Sequence, residues 1–584
     1  MVIIKKGLSF SQIIQANIRE IQQIKKILSF YPHNYQYIDK FKQGLWDGKI
    51  NLINWKNKTF PAGLTYLVKK HMPEIMVQYD YEQLDYNPNP KLYKSLKKIL
   101  KGNRDEFTKY FPPEKNIKLE QIRYQLKAFK VACNRQQGLF SLATNAGKTF
   151  IEAIIAQAFK HHKCIIFVRR VDLFNQLYED FSRLLNIKIG KICSHSKIDL
   201  DSNIVLAMVP TLIKRVITQE DIANYYENTK VIISDECHHS LAKNETNLIQ
   251  NSNAFVKLGF SGTISTITNI QNTGYEDGIK LRGIFGPVLM TVRNKKLIKA
   301  GISATPKVHL IEFEHKPDNL YYQVYGSIKY DTKNYTNFIY RKINYNIYNM
   351  VYKYLTIEKK DEKNIYKEEL EKKLPKDKKY ETRVILKILC NLLNEHDVED
   401  LSFSQEQILE TCEQYFHRSV GARIFNLTKQ IKVVNNTSRN KIIKQYVNKC
   451  KGQTLIIVDD VKLGHGTKLE KLINNSKFIC GQTKLKERDN IIKEFKNKDL
   501  GTLITSSIFD EGMDVPNIHN LFLVSISKKD RLILQRIGRG LREKMLRNIL
   551  NIYSFIDFGD KILLQTSKQL FKIYRNEGFD IYYE

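Results

Sequence analysis

Between residues 138 and 260 short apolar runs alternate with helical ones: GLFSL precedes a helix from Lys148, CIIFV precedes a helix from Asp172, and NIVLAMV and KVIIS follow. Short β-branched runs read as strands buried on both faces, and their alternation with amphipathic helices predicts a parallel sheet with crossover helices. A second series starts with TLIIV at 454 and runs through KFIC, TLITS and NLFLV to YSFI near 553. The pattern predicts an α/β protein with two tandem parallel-sheet lobes.

Residues 317–430 lose this rhythm. The charged segment IEKKDEKNIYKEELEKKLPKDKKYE leads into helical patterning around VILKILCNLL, and structureless connections of that length are rare. A mostly helical insert is therefore expected, either as a solvated charged helix or as a nucleic-acid contact. The first 115 residues form a further unit, ending near KYFPPEKN, where paired prolines suit a linker. The expected division is a small α+β accessory, nucleic-acid-binding domain at 1–115, a first lobe at 116–316, the insert at 317–430, and a second lobe with a C-terminal tail at 431–584. A length of 584 residues fits roughly three to five domains of about 100–200 residues.

Composition changes the picture in two ways. Hydrophobic residues at 42%, with 32 Tyr and 29 Phe, exclude a mostly disordered chain. Lys plus Arg outnumber Asp plus Glu by 94 to 61, a formal charge of +33, which draws in polyanions, nucleic acid first among them. A Lys-, Asn- and Ile-rich chain also arises from AT-biased coding, with lysines on ordinary solvated faces. The eight cysteines form no CxxC pair and no Cys/His cluster at zinc-ligand spacing, so they are expected as buried thiols in a reducing compartment. MVIIKKGLSFSQIIQ carries no cleavage signature, and no stretch approaches the roughly 18 apolar residues of a membrane helix. The expectation is a soluble, cytoplasmic protein without a membrane partner.

LATNAGKT, residues 142–149, nearly spells a phosphate-binding loop, with Leu142 where the leading glycine usually stands. The chemistry needs a strand, a turn exposing backbone N–H groups, and a helix start facing the anion. GLFSL supplies the strand, and Ala143, Thr144, Asn145 and Ala146 can make the turn. Gly147 permits close backbone approach, Lys148 can reach the β- and γ-phosphates, and the Thr149 hydroxyl can hold Mg²⁺. VIISDECHH places Asp235 and Glu236 at the end of another apolar run. There Asp235 would hold Mg²⁺ and Glu236 would polarise the attacking water. Each motif alone is also compatible with an ordinary helix start or an acidic turn; together they point to nucleotide hydrolysis.

LATNAGKT and DECHH resemble motifs I and II of DExH-type superfamily 2 helicases, which implies that the two tandem parallel-sheet lobes are RecA-like, and other segments fall in the matching order. IRYQ resembles the adenine-reading segment, with Gln125 as base contact. FVRRVDLFNQ resembles motif Ia with Arg169 and Arg170 in place of a frequent Pro-Thr pair, and MVPTL resembles a further strand-contacting turn at Thr211. GFSGT, with Ser261, Gly262 and Thr263, resembles motif III. SSIFDEGMDVPNI resembles motif V, with Gly512 and Asp514 facing the nucleotide. LQRIGRGLR resembles motif VI, which implies Gln535 and Arg536 as nucleotide contacts and Arg539 and Arg542 as catalytic arginines. The spacing of Arg536, Arg539 and Arg542 puts them on one helix face. FKQGLWDGKINLINWKNKTFPAGL, with Trp46, Asp47, Gly48 and Pro61, resembles the accessory domain of phage UvsW-like DNA helicases. There Trp46 is expected to anchor a small core and Asp47-Gly48 to make a hairpin turn.

The resemblance implies an ATP- and Mg²⁺-dependent, monomeric DNA motor acting on forked or branched DNA in phage replication, recombination and repair, in an infected host cytoplasm if the source is a phage. RNA–DNA hybrids are a further candidate substrate. A restriction-type duplex translocase subunit, an RNA helicase and a non-catalytic nucleic-acid clamp are the alternatives.

Overall fold

The computed structural model describes residues 2–32, 35–37, 41, 44–103, 118–194, 197–262, 264, 275–316, 423–459, 461–506, 518–525, 530–541 and 548–584. The expected insert at 317–430 therefore lies almost wholly outside the described residues.

The first seven-stranded sheet orders its strands Val288–Val292, Gln137–Leu142, Val256–Ser261, Val231–Ser234, Cys164–Val168, Ile204–Met208 and Gly190–Ile192, every pairing parallel. Five of these strands are buried along their whole length. That is why their sequences run apolar instead of alternating. The helix Lys148–Ala158 is likewise buried from Phe150 onward, because it packs between the sheet and the helices Leu119–Arg135 and Val171–Leu185.

The second seven-stranded sheet runs Ser476–Ile479, Thr502–Thr505, Thr454–Ile457, Asn520–Leu523, Ile549–Phe558, Thr305–Glu314 and Asp580–Tyr583, again all parallel. Here the expected lobe boundary at 316 is corrected. Thr305–Glu314 pairs along its full length with Ile549–Phe558, so the chain has entered the second lobe before residue 316. The alternating TPKVHLIEFE hides this. Its Val308, Leu310 and Ile311 are buried while Thr305, Glu312 and Glu314 stay exposed, as suits a strand near a sheet edge.

The amino-terminal unit is a four-stranded sheet, Thr59–Pro61, Phe10–Gln15, Ile3–Lys6 and Met76–Tyr79. The helix Lys91–Leu100, expected within this unit, instead sends Leu92, Tyr93, Leu96 and Ile99 into the first lobe's core. The Leu92 N–H donates to the Gln157 side chain at 2.8 Å. Trp46 is also corrected: it is half-buried and stands outside the apolar cluster of Ile4, Phe30, Phe60 and Leu64. Its indole N–H donates to the Lys49 carbonyl at 2.8 Å, closing the turn that Asp47 also braces by accepting from the Lys49 N–H at 3.0 Å.

This unit docks on the first-lobe helix Tyr275–Phe285, whose Ile279 enters the amino-terminal core. The approach is close enough to demand glycine at position 63, where a Cβ would stand 2.1 Å from the Arg282 carbonyl oxygen and 2.8 Å from the Gly286 nitrogen. Beside the seam Lys257 is buried, donating to Ser9 Oγ at 2.8 Å. Burial pulls its amine down to about 7. Gly63→Val should force the two units apart, costing about 1–3 kcal/mol as overpacking does. Faster limited proteolysis at the junction and a lower unfolding midpoint would register it; an unchanged cleavage rate would count against the docking.

Candidate nucleotide site between two lobes

The phosphate-loop candidate forms without the leading glycine. Leu142 completes its strand fully buried, and the Ala143 N–H donates to the Val292 carbonyl at 2.9 Å. Asn145 (φ +73°) and Gly147 (φ +77°) both take the left-handed conformation. Asparagine tolerates that region better than most residues, so the turn tightens without glycine there. Tyr124 OH donates to the Ala146 carbonyl at 2.8 Å, holding the loop against the helix Leu119–Arg135. Gln125 lies on that helix, 2% exposed, and its Oε1 has no hydrogen-bond partner among the described residues. A Cβ on Gly147 would meet Gln125 Nε2 at 2.4 Å, so the amide sits directly against the loop.

Lys148 ends the turn. Its ammonium donates to Glu236 and stands 3.7 Å from Asp235 Oδ1. Burial disfavours the charge, but the two carboxylates outweigh it and hold the Lys148 pKa above its ordinary value. Burial opposes ionisation of Glu236 as well, yet Lys148 and His238 hold it well below the usual carboxylate range. Glu236 occupies φ +48°, ψ 47°, left-handed backbone that costs a non-glycine residue about 1–3 kcal/mol and concentrates at functional sites.

Glu236 is wired to the neighbouring strand end. Ser261 Oγ donates to Glu236 Oε2 at 3.1 Å and lies 2.9 Å from His238 Nδ1. Asp235, Glu236 and Ser261 thus meet at the carboxyl ends of adjacent parallel strands, where open α/β sheets bind ligands. Sequence reasoning missed Glu152, fully buried on the helix that follows the loop, with neither oxygen hydrogen-bonded among the described residues. Burial, then the Asp235 charge, push it well above the usual carboxylate range. Its one signal in the sequence is an acid inside the otherwise apolar KTFIEAIIAQA.

The nucleic-acid candidates are less open. Arg169 Nε lies 3.5 Å from Glu245 Oε2, a carboxylate that Ser240 also binds at 2.7 Å. Arg170 stands as N-cap of the helix Val171–Leu185, and Thr211 is buried in the first turn of Val209–Thr218.

The second lobe closes over the phosphate loop. A crevice of about 70 Å³ is lined by Ser141, Thr144, Glu236 and Gly262 of the first lobe and Leu534 and Glu577 of the second. Leu534 lies on the helix Asp530–Gly540, and a Cβ on Gly538 of that helix would stand 2.6 Å from Thr144 Oγ1. Arg536 turns the other way. It is 2% exposed and paired at 2.6 Å with Asp459 of its own lobe, because a buried guanidinium needs a partner. The expected nucleotide contact Arg536 is thus engaged with a carboxylate of its own lobe. The side chains of Gln535 and Arg539, and the whole of Arg542, Gly512, Asp514 and Thr263, lie outside the described residues.

The residues present fit a nucleoside triphosphate: a loop of left-handed backbone, a lysine whose charge is held between carboxylates, and a buried amide oxygen left over. Thr149 and Asp235 offer hard oxygen donors. No group of three or more His, Cys, Asp or Glu residues able to hold a metal occurs among the described residues.

Residues 115–266 match the family described as type III restriction enzyme, res subunit. Residues 438–544 match the helicase conserved C-terminal domain, and residues 6–83 match the DNA helicase UvsW N-terminal family. The ATP-dependent DNA helicase uvsW of Enterobacteria phage T4 is 22% identical over 559 residues, covering 92% of this chain and 86% of that protein. Two solved structures are also similar. T4 UvsW overlays with a TM-score of 0.37 at 18% identity, covering 100% of this chain and 99% of that one. The Pyrococcus furiosus Hef helicase domain gives 0.39 at 15%, covering 80% and 99%.

Closure makes a direct prediction. Gly538→Val should wedge the lobes apart at Thr144 and cut ATP turnover by about a hundredfold, the scale of an ångström-level misplacement, while nucleotide binding by the first lobe persists. Turnover equal to the parent's would show that the contact plays no part.

Proposed function

This chain belongs to the UvsW-like superfamily 2 helicases, and on that basis we propose that it is an ATP-dependent DNA helicase or translocase that unwinds or branch-migrates forks, junctions and displacement loops in replication, recombination and repair. The observation that carries this reading is Lys148 clasped by Asp235 and Glu236, with Glu236 facing a crevice that the opposite lobe completes. In the proposed cycle Lys148 leaves Glu236 to bind the β- and γ-phosphates, Gln125 reads the base, and the freed Glu236 orients the attacking water. Thr149 and Asp235 would hold Mg²⁺, which supplies charge neutralisation between the phosphates. Arg539 and Arg542 would approach the γ-phosphate from the second lobe as it closes. Ser261, bonded to Glu236 and His238, would report the state of that carboxylate to the lobe surface. Alternating closure then tightens and relaxes backbone contacts, through Arg169, Arg170 and Thr211 among others, and moves a strand without reading its sequence.

Both halves of the site lie on one chain, so a monomer suffices as motor. In domain terms we place the accessory unit at about residues 1–85, the first lobe from there to about 304, and the second from 305–316 and 431–584.

The match of residues 115–266 to a restriction-enzyme subunit favours one second reading, translocation on duplex without strand separation. ATP turnover with and without DNA, for the parent and Lys148→Ala, tests the motor itself. We expect DNA to stimulate the parent, and Lys148→Ala to lose at least about a hundredfold; equal turnover in all four reactions sinks the proposal. A panel of forks, four-way junctions, displacement loops and RNA–DNA hybrids then separates helicase from translocase, since only a helicase releases single-stranded product.

A further inference from the structure

A cavity larger than the nucleotide crevice lies elsewhere in the described structure. A cleft of about 960 Å³ opens along the seam between the amino-terminal sheet and the first lobe. It lies at the wrong end of the lobe for nucleotide. Gln137 begins its strand, Phe255 immediately precedes the strand Val256–Ser261, and Pro287 immediately precedes Val288–Val292. The phosphate loop leaves the far end of the strand Gln137–Leu142, about 20 Å away at 3.3 Å per residue.

The lining has a chemistry of its own. Lys6, Lys69, Lys70 and Arg135 contribute four cations and the lining contains no carboxylate, although the chain carries 61 acidic residues. Between the cations stand aromatic rings. Tyr79 is 65% exposed, and Tyr81 lies edge-on to both Tyr79 and Phe255, with centroids 6.1 and 6.2 Å away. The Lys6 ammonium sits 5.6 Å from the Tyr79 ring and 5.9 Å from the Tyr81 ring. Burial lowers its pKa to about 8, still above neutral pH, so the group beside the rings remains mostly a cation there.

A plain interdomain seam would bury its rings and pair its charges. This one leaves a tyrosine face open beside uncompensated lysines, the combination with which proteins hold single strands: cations track the backbone while aromatic faces take bases of any identity. Duplex needs only the cations, because its bases are stacked internally.

We propose that this cleft is a second nucleic-acid site, separate from the motor path, that holds a single-stranded segment with Tyr79 as a base-stacking surface and Lys69, Lys70 and Arg135 on its phosphates. It goes beyond the motor reading and stands without ATP hydrolysis. Because the cleft is walled by both units, an occupied strand also ties the accessory domain to the lobe.

The test measures binding of a fluorescent oligothymidylate and of a blunt duplex to the full chain without nucleotide, across a salt series. The variants are Lys69→Glu/Lys70→Glu, Tyr79→Ala, and Lys568→Glu/Lys572→Glu as a control of equal charge change on the remote helix Lys561–Glu577. Lys69→Glu/Lys70→Glu should weaken single-strand binding by about tenfold or more and flatten the salt slope by about 1.4, two phosphate contacts at 0.7 each. Tyr79→Ala should weaken the single strand and leave the duplex unchanged. Unfolding midpoints and DNA-free ATP turnover should match the parent in every variant, and a variant that has lost its fold is replaced by Lys69→Gln/Lys70→Gln. Equal losses in the cleft and control charge variants would reduce the effect to net charge and overturn the proposal. So would single-strand affinity that Tyr79→Ala leaves untouched.

Discussion

The structure turns on one ammonium group held between two carboxylates. Lys148 comes from the end of a turn and Asp235 and Glu236 from the end of a strand two places away in the sheet. None of the three could sit where it does alone, because each charge is largely removed from water. Their mutual compensation lets the loop keep left-handed backbone at Asn145 and the strand end keep it at Glu236. The arrangement is also a poised one. A triphosphate offers Lys148 more negative charge than Glu236 does, and accepting it releases a carboxylate in place to act on water.

The parallel sheets explain why this centre lies where the lobes meet. Crossover helices make every strand of a lobe point the same way, so all strand-end loops gather at one edge. In the first lobe that edge carries the phosphate loop, the acidic pair and Ser261. The second lobe is anchored across it by Thr305–Glu314, which leaves the first lobe and enters the second sheet beside Ile549–Phe558. The link between the lobes is thus a strand rooted in the second sheet, and the helix Asp530–Gly540 can pack Gly538 against Thr144.

Much of this was legible in the sequence. The apolar runs at 138, 164, 204, 231, 454, 502 and 520 are strands because burial on both faces leaves no room for polar alternation, while those at 476 and 549 are strands that keep partly exposed positions. Gln125 lies against the loop and Lys148 against Asp235 and Glu236, residues that the motif resemblance singles out. What stayed hidden depends on long-range packing. Gly190–Ile192 and Asp580–Tyr583 are too short to announce themselves, and Thr305–Glu314 alternates because it lies one place from the sheet edge. Arg536 shares a spacing with Arg539 and Arg542, but Asp459, 77 positions away, claims it. The Ser261–His238–Glu236 linkage is likewise invisible in one dimension, and so is the basic, aromatic cleft, whose walls come from six separate stretches of chain.

The most direct test of the central claim is nucleotide affinity measured beside single-turnover hydrolysis in Glu236→Gln. Removing that charge frees Lys148 from its closest partner while keeping the side chain's shape. The account predicts ATP bound at least as tightly as by the parent, with hydrolysis lower by about a hundredfold or more. Weaker binding with hydrolysis intact would contradict it, since Glu236 would then be supporting the loop and not waiting for the phosphates.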